Sequence, residues 1–212
     1  MAADLESTIR MQRSITKMEF AAIVGIILAV LLQVATVGAE VRLRDNYQQN
    51  YDFSKVKSIV VLPFYQSYKS ATDILLGPVK SQDVIPESVD VFSMELFNAG
   101  INVIDRMLLD KVLSEQKLSL SGLMEKQDYQ KIGKLVNADV ILWGRVSLVK
   151  QIGKRRGEIS VRLIDVGSGT VVYTCLGEKS DIWGGGDVTA FKNELMSEAG
   201  KKISEFLKKN QQ

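Results

Sequence analysis

The most regular pattern in the chain lies between Asn137 and Thr174, where three runs alternate apolar and polar residues: 140–149, 159–166 and 170–176. Alternation sends successive side chains to opposite faces of a strand. The breaks at 153–157 and 167–169 bring the glycines and polar residues that hairpin turns need, so the pattern predicts an antiparallel meander. In its first strand Val140, Leu142, Val146 and Leu148 share one face, while Ile141, Trp143, Arg145 and Val149 share the other. Apolar residues on both sides place that strand inside the sheet. Its neighbour alternates more cleanly, with Ile159, Val161 and Leu163 opposed to Ser160, Arg162 and Ile164.

Upstream, the run KSIVVLPF from Lys57 reads as a buried strand ended by Pro63. Pro86 opens a helix with Ile85, Val89, Phe92 and Leu96 on one face and Gly100 beyond its end. A short strand, 101–104, precedes Asp105, which is placed to cap a second helix carrying Leu109, Val112, Leu113 and Gln116. A third helix shows Tyr129, Ile132, Gly133 and Val136 at helical spacing, and a last one, from about Val188 to Lys209, carries Val188, Phe191, Leu195, Ala199, Ile203 and Phe206. The element order is therefore β-α-β-α-α-β-β-β-α. It is that of an α/β fold, a mixed sheet ending in an antiparallel meander with helices packed on it.

Before this domain, which we place at residues 56–209, stand two other segments. Residues 20–39, FAAIVGIILAVLLQVATVGA, carry no charge and follow a flank with Arg10, Arg13 and Lys17. Residues 1–39 thus read as a signal peptide cleaved after Ala39, whose preceding small residues suit the peptidase, or as an uncleaved inner-membrane anchor whose contact with the bilayer is made by residues 20–38. In both readings the chain beyond residue 40 is exported. No cysteine follows the apolar run, so that position offers no lipid attachment point. The polar stretch 40–55 reads as a linker.

A 46% hydrophobic, 25% charged composition belongs to a globular chain, and a net charge of +2 makes no demand for nucleic acid. Histidine is absent and Cys175 is the only cysteine, which removes Ser-His and Cys-His nucleophile pairs and the usual zinc ligand sets. Cys175 falls in the alternation of Val171 and Tyr173 and reads as a core residue. The glycines at 184–186 precede a helix, yet no Lys-Ser/Thr pair follows as a phosphate loop requires. Lys154-Arg155-Arg156 reads as a solvated hairpin tip. No catalytic constellation, cofactor site or metal site emerges, and the chain reads as a non-enzyme.

The residues also carry a resemblance. Val60-Val61-Leu62-Pro63-Phe64, Ile104-Asp105-Arg106, Leu113-Ser114-Glu115-Gln116, Gly133, Ala138-Asp139, Gly144, Leu163-Ile164-Asp165, Gly167-Ser168-Gly169 and Val171-Val172 occur in the order seen in CsgG-like domains of bacterial envelope proteins, across residues 56 to 178. That family includes the curli secretion channel, a ring whose protomers give hairpins to an outer-membrane barrel. It also includes pore-less lipoproteins linked to flagella or activating penicillin-binding proteins. The channel relatives carry long insertions where this chain has 150–157 and 178–187, so the resemblance implies a periplasmic module without membrane hairpins. It implies a non-catalytic envelope assembly or regulatory module acting by protein–protein binding, as a ring or a single copy. The alternatives are a membrane-anchored activator of a peptidoglycan synthase and a soluble component of a secretion channel. The implied partners are envelope proteins or further copies of the chain. The connection after the first strand lines the ring constriction in the channel, which makes Tyr65, Tyr68, Ile74, Leu75 and Leu76 candidate partner or protomer contacts. Trp183, in the loop before the last helix, joins them.

Overall fold

The computed structural model describes residues 40–70, 83–115, 126–151, 154–182 and 187–211. Among these residues eight strands and four α-helices follow one another, besides a 3-10 turn at Phe53–Lys55: β1 (Arg42–Tyr47), β2 (Ser58–Val61), β3 (Phe64–Ser70), β4 (Asp83–Ile85), α1 (Glu87–Asn98), β5 (Asn102–Val103), α2 (Arg106–Glu115), α3 (Lys126–Leu135), β6 (Val140–Gln151), β7 (Lys154–Asp165), β8 (Val171–Ile182) and α4 (Val188–Asn210). The strands form one mixed sheet in the order β1-β8-β7-β6-β2-β5, with β3 also paired to β6 and β4 paired to β3. The segments 1–39, 71–82 and 183–186, and with them Ile74, Leu75, Leu76, Trp183 and the apolar run, lie outside the described residues.

The mixed α/β class follows from how the two faces are filled. On the first face Val140, Leu142, Val146 and Leu148 meet Val89, Phe92 and Leu96 of α1 and Phe191, Leu195, Ala199 and Ile203 of α4. On the second, Ile141 and Ile164 meet Leu109 and Leu113 of α2 and Tyr129, Ile132 and Val136 of α3. The expected helical stripes are packing stripes along most of their length, except that Val188 at the start of α4 is exposed and Gln116 lies outside the described residues, and β6 lies inside the sheet with neighbours on both edges.

The caps agree with the sequence. Asp105 Oδ1 accepts from the Met107 amide at 2.6 Å and Asp187 Oδ1 from the Thr189 amide at 2.9 Å, satisfying amides that have no partner within the helix. Gly100 takes a φ of 83° just past α1, where its neighbour's amide reaches back from Ile101 to Leu96 O at 3.0 Å. Cys175 is fully buried, and burial first, then the Asp45 carboxylate, pushes its thiol up to about 11.

Four expectations are corrected. Residues 40–55 are not a linker: β1 pairs antiparallel with β8 from Arg42↔Glu178 to Tyr47↔Tyr173. Val41 and Leu43 pack on the first core, and Phe53 is buried against the Phe206 ring at 4.9 Å. Of the polar residues that suggested a linker, Arg42, Arg44 and Asn46 are the outward half of an edge strand. Second, the strand expected to end at Pro63 resumes. Val61 is opposite Leu142 and Tyr65 opposite Arg145, so four steps on one side match three on β6. The extra residue is a bulge at a proline that has no amide to donate, and the stretch from Tyr65 to Asp83, which reads in sequence as a long connection, begins as β3. Third, the meander strands are longer than expected, 12 residues each in β6, β7 and β8. Lys154, Arg155 and Arg156 lie within β7, and Arg155 is 5% exposed, 3.0 Å from Asp181 and 4.3 Å over the Phe191 ring. A cation reads as solvated in sequence; here its long stem and flat head are covered by an aromatic. Fourth, with β1, β3 and β4 added, strands outnumber those expected from sequence, while the order of helices stands.

Candidate interaction face

The helices do not cover the two faces equally, and length is the reason. A strand of 12 residues runs about 40 Å. At 1.5 Å per residue, α4 with 23 residues extends about 35 Å along the first face, while α2 and α3 with 10 each extend only about 15 Å over the second. Half of the second face therefore stands uncovered among the described residues.

That half is a concavity of about 580 Å³ lined by Arg42, Arg44, Trp143, Arg145, Arg162 and Leu176, together with Ser67, Ser147, Ser160, Glu158 and Glu178. Pairing fixes the layout. Arg145, Ser160, Leu176 and Arg44 form one row across β6, β7, β8 and β1, and Ser147, Glu158, Glu178 and Arg42 form the next. With strands about 4.8 Å apart, the Cα atoms of Arg145 and Arg44 stand about 14 Å apart. Arg162 sits diagonal to Arg145 and opposite Trp143, with its guanidinium 5.8 Å from the indole ring.

Arg156 holds both acids of the concavity, at 3.0 Å from Glu158 and 3.1 Å from Glu178. Arg42, Arg44, Arg145 and Arg162 are exposed and make no ion pair among the described residues. The surface is thus locally basic although the chain is almost neutral. Leu176, 55% exposed, is the apolar floor between the two arginine pairs.

The covered and open halves meet at an aromatic seam. Trp143 touches Tyr65 edge-on at 6.2 Å and Tyr129 at 5.8 Å. Burial raises both phenols, that of Tyr129 to about 12, so both are neutral donors at ordinary pH. Trp143 Nε1 is buried without an acceptor among the described residues.

Of the residues chosen from sequence, Tyr65 is 3% exposed within this seam, and Tyr68 follows in β3, opposite Leu148 of β6. Ile74, Leu75, Leu76 and Trp183 fall outside the described residues. In sequence Arg145 shares a strand face with Ile141, Trp143 and Val149, and Arg162 one with Ser160 and Ile164, which marks neither as part of a site. Only the register brings them together, and Arg42 and Arg44 were hidden in the supposed linker. Among the described residues no group of three or more acidic or cysteine side chains is placed to hold a metal ion. No described helix is long and apolar enough to cross a membrane.

Residues 47–158, over half of the chain, match the family described as curli production assembly/transport component CsgG. No curated protein matches the sequence. Among solved structures, a PelC dodecamer from Paraburkholderia phytofirmans is 14% identical with a TM-score of 0.40, covering 78% of this chain and 98% of its own. The LpoB C-terminal domain from Escherichia coli is 14% identical with a TM-score of 0.41, covering 60% and 98%. Lipoprotein GNA1162 from Neisseria meningitidis is 17% identical with a TM-score of 0.42, covering 70% and 96%.

Proposed function

From the premise that this chain belongs to the CsgG family, we propose that it is an exported, non-catalytic module of the bacterial envelope that works by binding other proteins, either envelope proteins or further copies of itself in a ring. The family match carries this reading. It is supported by the uncharged run at residues 20–39, which directs residues beyond 40 across the inner membrane whether it is cleaved or retained. The hairpin β6–β7 argues against a role as pore wall. Its tip carries Lys154, Arg156 and Glu158 on one face and buries Arg155 on the other, whereas a barrel strand needs an unbroken apolar face toward lipid.

The contacts we assign to partner or protomer binding are Tyr68, Ile74, Leu75, Leu76 and Trp183, while Tyr65 is buried in the core. A photo-crosslinking amino acid placed at Tyr68, Leu75 or Trp183 in cells should yield discrete adducts with an envelope protein or with the chain itself. Light scattering on the purified full-length protein then separates a closed ring from a single copy. Irradiation that yields no adduct at any of the three positions would overturn the assignment.

A further inference from the structure

We propose that the open half of the second sheet face is a docking surface for an acidic polypeptide segment that carries an apolar side chain between its carboxylates. The inference rests on the reading of the chain as a protein-binding module and adds which surface binds and what chemistry it selects.

Charge decides the sign of the partner. Glu158 and Glu178 are both held by Arg156, which leaves the guanidinium groups of Arg42, Arg44, Arg145 and Arg162 without an ion pair among the described residues. The rigid donor fork of each arginine matches a carboxylate. An isolated surface arginine is ordinary, but four on one recess, in two groups about 14 Å apart by strand spacing, outnumber the one negative charge left over from the Arg156–Glu158–Glu178 cluster and keep the recess net positive.

Shape and polarity decide the class. A planar bilayer surface does not enter a recess, which weighs against lipid headgroups. A sugar polymer uses hydroxyl donors and flat rings, whereas the centre of this floor is Leu176, 55% exposed, with Trp143 also lining the recess. Arginine and tryptophan around an apolar centre is the composition of a protein-binding hot spot. The arginines and Leu176 stand on the face of the β6–β7–β8–β1 ladder and not along the outer edge of β1, so the partner is read by side chains.

The test uses the full-length protein in a nonionic detergent and fluorescence anisotropy of a short labelled peptide alternating Glu and Leu. We expect saturable binding that weakens with added salt. The double variant Arg145→Glu/Arg162→Glu should weaken it by about tenfold or more, Leu176→Asp should weaken it comparably, and a peptide with Gln in place of Glu should not bind. Lys208→Glu/Lys209→Glu, which makes the same change in net charge at the exposed end of α4, should leave it unchanged. Unaltered melting temperatures keep these comparisons clear of misfolding. Peptide binding insensitive to the arginine and leucine variants would overturn the proposal. So would tighter, arginine-dependent binding of phosphatidylglycerol vesicles or of polygalacturonate, or no binding of the peptide. Crosslinks from Tyr68 obtained alongside a negative peptide result would sink the arginine face alone and leave the binding-module reading intact.

Discussion

Replacing Gly157 with alanine probes how tightly α4 is set on the sheet. Gly157 lies on the covered face of β7, and a Cβ there would stand 2.6 Å from Phe191 Cε1 and 3.2 Å from Leu148 and Leu195 methyl carbons. Phe191 has little room to retreat, because the Arg155 guanidinium lies 4.3 Å and the Lys179 ammonium 5.2 Å from its ring centre. Overpacking of this kind costs about 1–3 kcal/mol. Removing a glycine from a strand interior returns about 0.5–1 kcal/mol. The net expectation is a loss of about 1–2 kcal/mol, which lowers the melting temperature by about 2–8 °C for a chain of this size. Differential scanning calorimetry of the full-length protein measures it, and a double-mutant cycle with Phe191→Leu assigns the cause. A smaller ring should relieve about 1 kcal/mol of the alanine's cost. If Gly157→Ala is neutral, or costs the same with and without Phe191, the helix is not seated by that contact and the reasoning fails.

Three further outcomes follow from other groups. Trp143→Phe removes an indole N–H that is buried without an acceptor among the described residues, so urea melts should show stability equal to or slightly above wild type; a loss of more than about 2 kcal/mol would mean that the N–H is satisfied. Burial acts to raise the Asp165 carboxyl, but the Ser168 amide at 2.6 Å, the Ser168 hydroxyl at 2.7 Å and the Tyr51 hydroxyl at 2.9 Å hold it below its usual range. A depressed folded value means stabilisation that is complete above the unfolded value and lost as pH falls through the folded one. The deficit of Asp165→Asn should therefore be largest at neutral pH and shrink below about pH 4, and a deficit constant with pH would count against these bonds. Cys175 is fully buried with its thiol raised to about 11, so it should resist iodoacetamide at pH 8 until denaturant is added; rapid native-state labelling would contradict its placement.

What the sequence makes legible is whatever two local periods encode. The α4 stripe from Phe191 to Ile203 and the β6 alternation each point at one core, and both are found there. Two features were harder to see because their signal is shared between distant segments. In β1 only Leu43 breaks a run of exposed residues, so an edge strand with Arg42, Arg44 and Asn46 outward looks like polar linker until β8 is laid beside it. Pro63 marks an end by local rules, and only β6 shows that it marks a bulge inside a continued pairing.

The arginine face combines both difficulties and also explains why it exists. Helix length and strand length are each readable in the chain, but their mismatch becomes a surface only when α2 and α3, about 15 Å long, are laid on strands of about 40 Å. The residues respond to that mismatch. Along β7 the second face changes from Ile164 under the helices to Arg162, Ser160 and Glu158 beyond them, while the first face stays apolar from Leu163 through Val161 to Ile159. A strand that merely needed solubility there could carry lysine or glutamate of either sign. Arginine at four of the outward positions, against two acids that share Arg156, leaves the recess net positive, which is the charge the proposed acidic segment would meet.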